Sequence, residues 1–452
     1  MFEKVLIPNR GEIAVRVIRA SRDLGIRTVL AASTVDAETS LAAQLADQVV
    51  RIGGPRPSES YLNLPAILST AIAVGADAIH PGYGFMSENP TLAQGCIDNA
   101  ITFVGPSADV IEQVGNKVTA REVAERAGVP VSPGFRLPEG LTKDLAKRLG
   151  SEIGYPLLIK AVHGGGGRGM RVVNSPDAFV ESAEAAAAEA GAAFGNAALY
   201  VEHFVARARH VEIQIMGIPG GIVFVLGDRD CSVQRRHQKL VEEAPAPALT
   251  EDLRANLHAS AKRIGELLGY ENAGTVEFVI DDATGEYFFL EVNSRLQVEH
   301  PVTEAVTGID IVRTQFEIAS GAVLDAHVRD EPKQSGVAIE CRINAESPDL
   351  NFQPSPGRLL TWQPPTLGCV RIDTHCYGGY TVPPYYDSLL AKVISYGANR
   401  EEAIEHMAEA LRTFTVEGVS TTIGWATSLV TSAEFRSNQI HTRWVDELNG
   451  AA

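Results

Sequence analysis

Residues 160–170 read Lys160-Ala-Val-His163-Gly-Gly-Gly-Gly-Arg168-Gly169-Met170, and the segments on either side of this glycine run set the architecture. Residues 156–162 and 170–173 are short, apolar and rich in β-branched side chains, as buried strands are. Gly164, Gly166 and Gly169 satisfy the spacing GxGxxG. A dinucleotide-binding turn or a P-loop, however, needs its glycines to open a helix, and no Gly-Lys-Ser/Thr follows here. The run therefore reads as a hairpin between two strands. Its bare N–H groups can close over phosphates with help from Lys160 and Arg168; the alternative is a merely flexible surface loop. Four consecutive glycines carry a large cost in chain entropy, which favours a working lid.

Working outward, residues 4–8, 27–32, 76–80 and 101–104 read as buried strands alternating with helices, the pattern of a parallel sheet. A helix over 12–24, stopped by Gly25, carries an apolar stripe of Ile13, Val17, Ala20 and Leu24. Arg16, Arg19 and Arg22 line another face, either solvated or part of an interface between protomers. The first strand–helix turn, Pro8-Asn-Arg-Gly-Glu12, lacks the dinucleotide fingerprint. Beyond residue 115 the pattern predicts a helix over 117–127, another ending at 145–150, the glycine hairpin, an Ala/Glu-rich helix over 179–193 and a strand over 199–204. Strands over 211–230, an irregular basic stretch, a helix over 251–268 and a hairpin over 275–293 follow. Further strands, a proline-rich stretch at 381–386 and two terminal helices complete the chain. The expected fold is α/β and α+β multidomain: a Rossmann-like parallel sheet over 1–114, a second domain over 115–334 carrying the mobile glycine-loop lid over 131–204, and a mixed α/β domain over 335–452.

The 452 residues are 45% hydrophobic and 21% charged, an ordinary globular balance. With 39 Lys and Arg against 56 Asp and Glu the net charge is −17, which argues against binding nucleic acid or an anionic membrane through the overall field. No apolar run approaches the ~18 residues of a membrane span. Residues 1–8 run into a strand without a secretion-signal pattern. The five cysteines form no CxxC, and an odd number cannot all pair, so the expectation is reduced, buried thiols in a cytoplasmic protein.

Three constellations carry chemistry. In the hairpin Thr275-Val-Glu277-Phe-Val-Ile … Phe288-Phe-Leu-Glu291-Val-Asn293, Glu291 and Asn293 share a face. Closure about Thr284 places Glu277 opposite Glu291. Two such carboxylates repel unless compensated, and Mg²⁺ shared with nucleotide phosphates would resolve the conflict; a solvent-facing pair is the alternative. Next, Arg295, Gln297 and Glu299 alternate in Ser294-Arg-Leu-Gln-Val-Glu-His300, so an extended chain points a cationic fork, an amide and a carboxylate the same way. They could hold a small oxyanion and take its proton, or be plain surface polar residues. Finally, Arg229 to Lys239 form a basic patch with interleaved Gln234 and His237, a local anion site in so acidic a chain or a solvated charge run. His210 either faces the same pocket or is structural.

The lid between strands, the Glu277/Glu291/Asn293 hairpin and Lys160 together resemble an ATP-grasp enzyme, a class that activates a carboxylate or bicarbonate as an acyl phosphate. The segments Asn9-Arg-Gly-Glu-Ile-Ala, His80-Pro-Gly-Tyr-Gly-Phe, 164–171, 229–247, 291–310, Glu340-Cys-Arg-Ile-Asn-Ala-Glu and Gly379-Tyr-Thr-Val-Pro-Pro-Tyr-Tyr-Asp narrow the resemblance to the biotin carboxylase family across nearly the whole chain. The resemblance implies ATP-dependent carboxylation of biotin N1′ by bicarbonate through carboxyphosphate, the first half-reaction of acetyl-CoA carboxylase or a related acyl-CoA or pyruvate carboxylase.

By the same resemblance, Lys117, Lys160, the lid residues Gly165, Gly166, Gly167 and Met170, and Glu202, His203, Val205, His210, Gln234 and His237 would hold ATP. Glu277, Glu291 and Asn293 would bind two Mg²⁺ or Mn²⁺ ions. Lys239, Arg295, Gln297 and the Val298 backbone would hold bicarbonate, with Glu299 as general base. Arg342 would stabilise the biotin enolate, Tyr83 would lie near the biotin ring, and Arg16 and Arg19 would fall on a homodimer face. His203 stands where many relatives have lysine, and Pro8 replaces a small residue. None of the five methionines precedes a lysine, so the Ala-Met-Lys-Met-type acceptor of a biotin carrier is missing. Carrier protein and carboxyltransferase are therefore expected on separate chains. The competing readings are another ATP-grasp ligase joining a carboxylate to an amine, and a non-catalytic protein that binds nucleotide to regulate a partner.

Overall fold

The computed structural model describes residues 1–452 except 139, 163–169, 248, 330–331, 449 and 451–452. The N-terminal sheet is parallel throughout, in the order Gln48–Gly53, Arg27–Ser33, Lys4–Ile7, Ala78–Ile79, Thr102–Phe103. Four of its strands are legible in the sequence. The fifth, Gln48–Gly53, buries only Ile52; at a sheet edge it needs no continuous apolar run, so hydrophobicity alone does not reveal it.

Helix Gly11–Asp23 packs against this sheet, and Ile13, Ala14, Val17 and Ile18 join Val5, Ile7 and Leu30 in one apolar cluster. Arg16 does not lie on a solvated face: its Nη2 lies 2.9 Å from Glu304 Oε1 and 2.6 Å from Asp310 Oδ1. Arg19 and Arg22 are exposed. The Asn9 amide donates to the carbonyls of Pro81 and Tyr83 at 2.6 and 2.8 Å. Gly82 permits that approach. Its φ is +64°, and a Cβ there would sit 2.8 Å from Ile13 Cγ1. The two N-terminal motifs thus hold each other in place beside Tyr83.

The region 131–204, expected to be the lid, forms a four-stranded antiparallel sheet in the order Gly134–Arg136, Leu199–His203, Leu157–Ala161, Arg171–Val173. Leu157, Ile159 and Val201 of the sheet pack with Phe179, Ala183 and Ala186 of helix Pro176–Phe194 in a cluster of their own. Burying a side chain such as Phe179 stabilises by roughly 2–3 kcal/mol. The strands Leu157–Ala161 and Arg171–Val173 are adjacent and antiparallel, so the glycine run joins two strands as its flanks predict. The run itself lies outside the described residues.

An eight-stranded antiparallel sheet spans the rest, ordered Tyr287–Asn293, Asn272–Asp281, Ala208–Ile218, Ile222–Arg235, Gln238–Ala244, Val337–Asn344, Leu389–Gly397, Val370–Thr374. Strands from both sides of residue 335 therefore share one sheet. The stretch expected to be irregular is a tight hairpin instead, turning at Arg236 and His237 with φ of 48° and 64°. Such turns favour Asn-Gly or Asp-Gly, so Arg-His gives no sequence signal.

Candidate active site

A cavity of about 980 Å³ opens where the lid sheet, the eight-stranded sheet, the N-terminal motifs and the segment 382–389 meet. That suits a nucleotide together with a second ligand. Lys117, Lys160, Met170, Glu202, His203, Val205, His210, Gln234, His237, Lys239, Glu277, Glu291, Asn293, Arg295, Gln297, Val298, Glu299, Arg342 and Tyr83 all line it. Gly165, Gly166 and Gly167 lie outside the described residues.

Glu277 stands opposite Glu291 in the strand pair, as closure about Thr284 requires. Four donors surround Glu277. His210 Nε2 is 2.8 Å from its Oε2; Lys239 Nζ (2.9 Å), the Asn293 amide (2.8 Å) and the Gln297 amide (3.3 Å) meet its Oε1. Burial alone would favour the neutral acid, but Lys239 and His210 outweigh it and hold Glu277 well below the usual carboxylate range. Burial likewise opposes charge on His210, yet the Glu277 carboxylate raises it above the usual imidazole value. Glu291 faces Lys117, Oε2 to Nζ 3.6 Å. Two carboxylates in cross-strand register beside an amide oxygen are the donor set a hard divalent cation takes, so these residues fit Mg²⁺ or Mn²⁺.

Lys239 is the hub of the next layer. Its ammonium donates to Glu212 at 2.5 Å, Glu277 at 2.9 Å and Glu299 at 2.7 Å. Behind it Arg229, fully buried, reaches Glu212 at 2.5 Å, Gln214 at 2.9 Å and Thr303 at 2.9 Å. Glu299 also accepts from Arg342 Nη2 at 2.9 Å. Its burial favours the protonated acid, but Lys239, Arg342 and Arg229 keep it ionised, well below the usual range. Arg295 donates to Gln297 Oε1 at 2.6 Å, Asn293 Oδ1 at 3.1 Å and Glu88 Oε2 at 2.9 Å. The segment 294–299 is not an extended strand but a turn leading into helix His300–Thr307. Arg295, Gln297 and Glu299 still converge, because Glu277 and Lys239 draw the last two inward.

The basic patch divides along the hairpin. Gln234, His237 and Lys239 face the cavity, whereas Arg229 is neutralised by Glu212 inside the sheet. Arg235 stacks on the Phe352 ring at 3.9 Å, and Arg236 reaches Asn351 Oδ1 at 3.4 Å. Burial lowers His237, partly offset by Asp446. On the lid side, Lys160 pairs with Glu202 on the neighbouring strand. His203 turns Nδ1 toward the Gly154 carbonyl at 3.4 Å, while its backbone N–H bonds Pro133 and its carbonyl accepts from Ser132 Oγ.

At the opposite rim the Tyr83 hydroxyl donates to Glu12. Lys392, fully buried, bridges Glu12 at 3.0 Å and the Val298 carbonyl at 2.8 Å. Lys392, Glu212 and Glu88 escape sequence reading. For Glu212 the signal was present, since it shares a strand face with His210. Lys392 lies in an apolar strand with no local mark of function.

Three sequence families match successive parts of the chain: Biotin carboxylase, N-terminal domain, over residues 1–111; Carbamoyl-phosphate synthase L chain, ATP binding domain, over 116–327; and Biotin carboxylase C-terminal domain over 340–447. A biotin carboxylase of Nostoc sp. is 49% identical over 99% of each chain. One of the pyruvate carboxylase subunits of Methanothermobacter thermautotrophicus is 46% identical over 99% of this chain and 90% of that one. The biotin carboxylase domain dimer of Hydrogenobacter thermophilus 2-oxoglutarate carboxylase, solved with MgADP, ADP and bicarbonate, superimposes with a TM-score of 0.94 at 43% identity, covering 100% of this chain and 98% of that one.

Proposed function

This chain belongs to the biotin carboxylase family of ATP-dependent ligases, and from that premise we propose that it carboxylates the N1′ of biotin on a separate carrier protein, using bicarbonate and ATP. The observation that carries the reading is the convergence of Lys239, Arg295 and Arg342 around Glu299, in the same cavity as Lys160 and the Glu277–Glu291 pair. We assign the parts 1–114, 115–334 and 335–452 to the N-terminal, ATP-grasp and C-terminal domains, with 131–204 as the lid.

Bicarbonate is a weak nucleophile, so its conversion to carboxyphosphate depends on positioning and charge neutralisation. Lys239, Arg295, the Gln297 amide and the Val298 backbone hold the bicarbonate anion. Glu299, kept ionised by its cationic neighbours, accepts its proton. Lys117, Lys160 and the glycine lid with Met170 hold the ATP phosphates; Glu202, His203 and Val205 border the base, and His210, Gln234 and His237 line the rest of the nucleotide pocket. Glu277, Glu291 and Asn293 hold divalent cations, which when bound neutralise charge on the transferring phosphoryl group. Carboxyphosphate then yields CO₂ and phosphate, and the phosphate takes the biotin N1′ proton. Arg342 faces the enolate oxygen that results, and Tyr83 abuts the ring.

The relatives differ in what they carboxylate, so the final acceptor belongs to a carboxyltransferase partner. The active form is a homodimer in the cytoplasm. The test supplies purified chain with Mg-ATP, labelled bicarbonate and either free biotin or a biotinylated carrier. Label on the biotin, dependent on ATP, is the expected result. Label retained on the chain itself, with biotin detected there by mass spectrometry, would overturn carboxylation in trans.

A further inference from the structure

Behind Arg342 stand two glutamates that the mechanism leaves unused. Glu242 on strand Gln238–Ala244 and Glu340 on strand Val337–Asn344 are register partners, and both are 0% exposed. Side-chain alternation puts them on the same sheet face as Arg342, Ala244, Ala338 and Ile394. That face is sealed by Val302 and Val306 of helix His300–Thr307. Arg342 Nη2 lies 2.6 Å from Glu242 Oε1 and 2.9 Å from Glu299 Oε2. Glu242 therefore has a cation at ion-pair distance, though its oxygens meet no donor in hydrogen-bond geometry among the described residues. Neither oxygen of Glu340 has a hydrogen-bond partner among the described residues.

Like charges directly across a strand pair destabilise, and an ionised carboxylate sealed from water without donors is costlier still. The surrounding charges do not rescue Glu340. On the adjacent strand Leu389–Gly397, Lys392 commits its ammonium to the Val298 carbonyl at 2.8 Å and Glu12 at 3.0 Å, with Asp373 of strand Val370–Thr374 at 3.9 Å. From the packed helix, His300 engages the Gln297 carbonyl and Glu304 pairs with Arg16 and Arg371. Glu299 adds a third carboxylate next to Arg342. The Cys341 thiol alternates to the other face, and burial keeps it protonated.

We propose that Glu340 carries a proton at neutral pH, so that the Glu242–Glu340 pair presents a single negative charge to Arg342 and positions its guanidinium at the cavity wall. The direction of each acidity agrees. Burial pushes Glu242 up to about 7 against the pull of Arg342, and burial lifts Glu340 well above the carboxylate range against the pull of Lys392. As pH rises the shared proton leaves to solvent, and the second negative charge behind Arg342 weakens its field on the enolate oxygen. Glu340 is thus a positioning residue that sets the alkaline limb of carboxylation. The inference rests on the reading of Arg342 given above.

The test combines infrared spectroscopy with pH profiles. Wild type shows a protonated-carboxyl C=O band that titrates together with the alkaline limb of kcat, and the band is missing from Glu340→Gln. In that variant the alkaline limb moves up by about one pH unit or more, because no second charge can form, while KM for ATP stays put. Glu242→Gln removes the anion that seats Arg342 and lowers kcat for biotin carboxylation by about tenfold or more. A band unchanged in Glu340→Gln, or an alkaline limb that does not move, overturns the proposal. Should Glu340→Gln fail to fold, the wild-type titration decides: no band tracking the limb, no shared proton. Wild type that shows the band but turns over ATP without any response to biotin overturns the reading of Arg342 and leaves the proton assignment standing.

Discussion

Arg342 donates from Nη2 to Oε2 of Glu299 at 2.9 Å, so a buried carboxylate and a fixed cation already flank the same stretch of cavity wall. Replacing Arg342 with alanine removes the cation proposed to face the enolate oxygen but leaves Lys117 and Lys160 untouched. The expected result is a fall in biotin carboxylation of the order of 10²–10³-fold, the scale for losing one preorganised electrostatic partner. Nucleotide binding, measured by calorimetry, should change little. Carboxylation close to wild type would remove Arg342 from the mechanism.

Lys239 joins three carboxylates, Glu212, Glu277 and Glu299. Lys239→Met leaves them facing one another in a sealed site. Breaking a buried pair by deleting one partner costs about 3–5 kcal/mol, and denaturant unfolding should show a loss on that scale. Glu277 and Glu299 also lose the cation that does most to depress them. Their pKa values therefore rise in the variant, and part of its stability should return as pH is lowered toward 4.5, where wild type gains nothing from these two groups. A loss independent of pH would contradict the account.

Glu291 is the more accessible metal-ligand candidate, paired only loosely with Lys117 at 3.6 Å. Glu291→Gln keeps the shape and removes one charged oxygen. Half-saturating Mg²⁺ for ATP turnover should rise by about tenfold or more, with partial rescue at high Mg²⁺. An unchanged Mg²⁺ dependence would place the cation elsewhere.

His375 is buried under Tyr380, with ring centroids 5.3 Å apart, and burial followed by the nearby Arg10 lowers it to about 3. The unfolded chain takes up this proton near pH 6.5, whereas the folded chain does so only near pH 3. Wild type therefore loses stability through this group as pH falls below 6.5. Glu242, raised to about 7, contributes with the opposite sign over part of that window, so the useful quantity is a difference between two proteins. His375→Phe should gain on wild type by about 1 kcal/mol per pH unit between pH 6.5 and 5. A gap that does not depend on pH would mean the imidazole takes up its proton in the fold as readily as in the unfolded chain.

Much of the site was legible because strand alternation is a strict rule. Glu291 and Asn293 had to share a face, and one assumption about the turn placed Glu277 opposite Glu291. The glycine run could be separated from a phosphate-binding helix start by the strands around it, and helix Glu251–Leu268 matches its predicted span. What escaped was whatever depends on contacts distant in sequence. The ammonium of Lys392 works only because strand Leu389–Gly397 lies beside the loop at Val298. Arg16 looked like surface until the helix after residue 300 supplied Glu304. The Arg236–His237 turn was invisible because its residues adopt positive φ without the usual Asn or Gly.

The central claim is that bicarbonate and biotin are the substrates that the nucleotide site serves. Its most direct test is ADP release by the purified chain with Mg-ATP, measured with and without bicarbonate and with and without free biotin. The account predicts release that requires bicarbonate and rises with biotin. Release indifferent to both would contradict it and assign the cavity to another carboxylate.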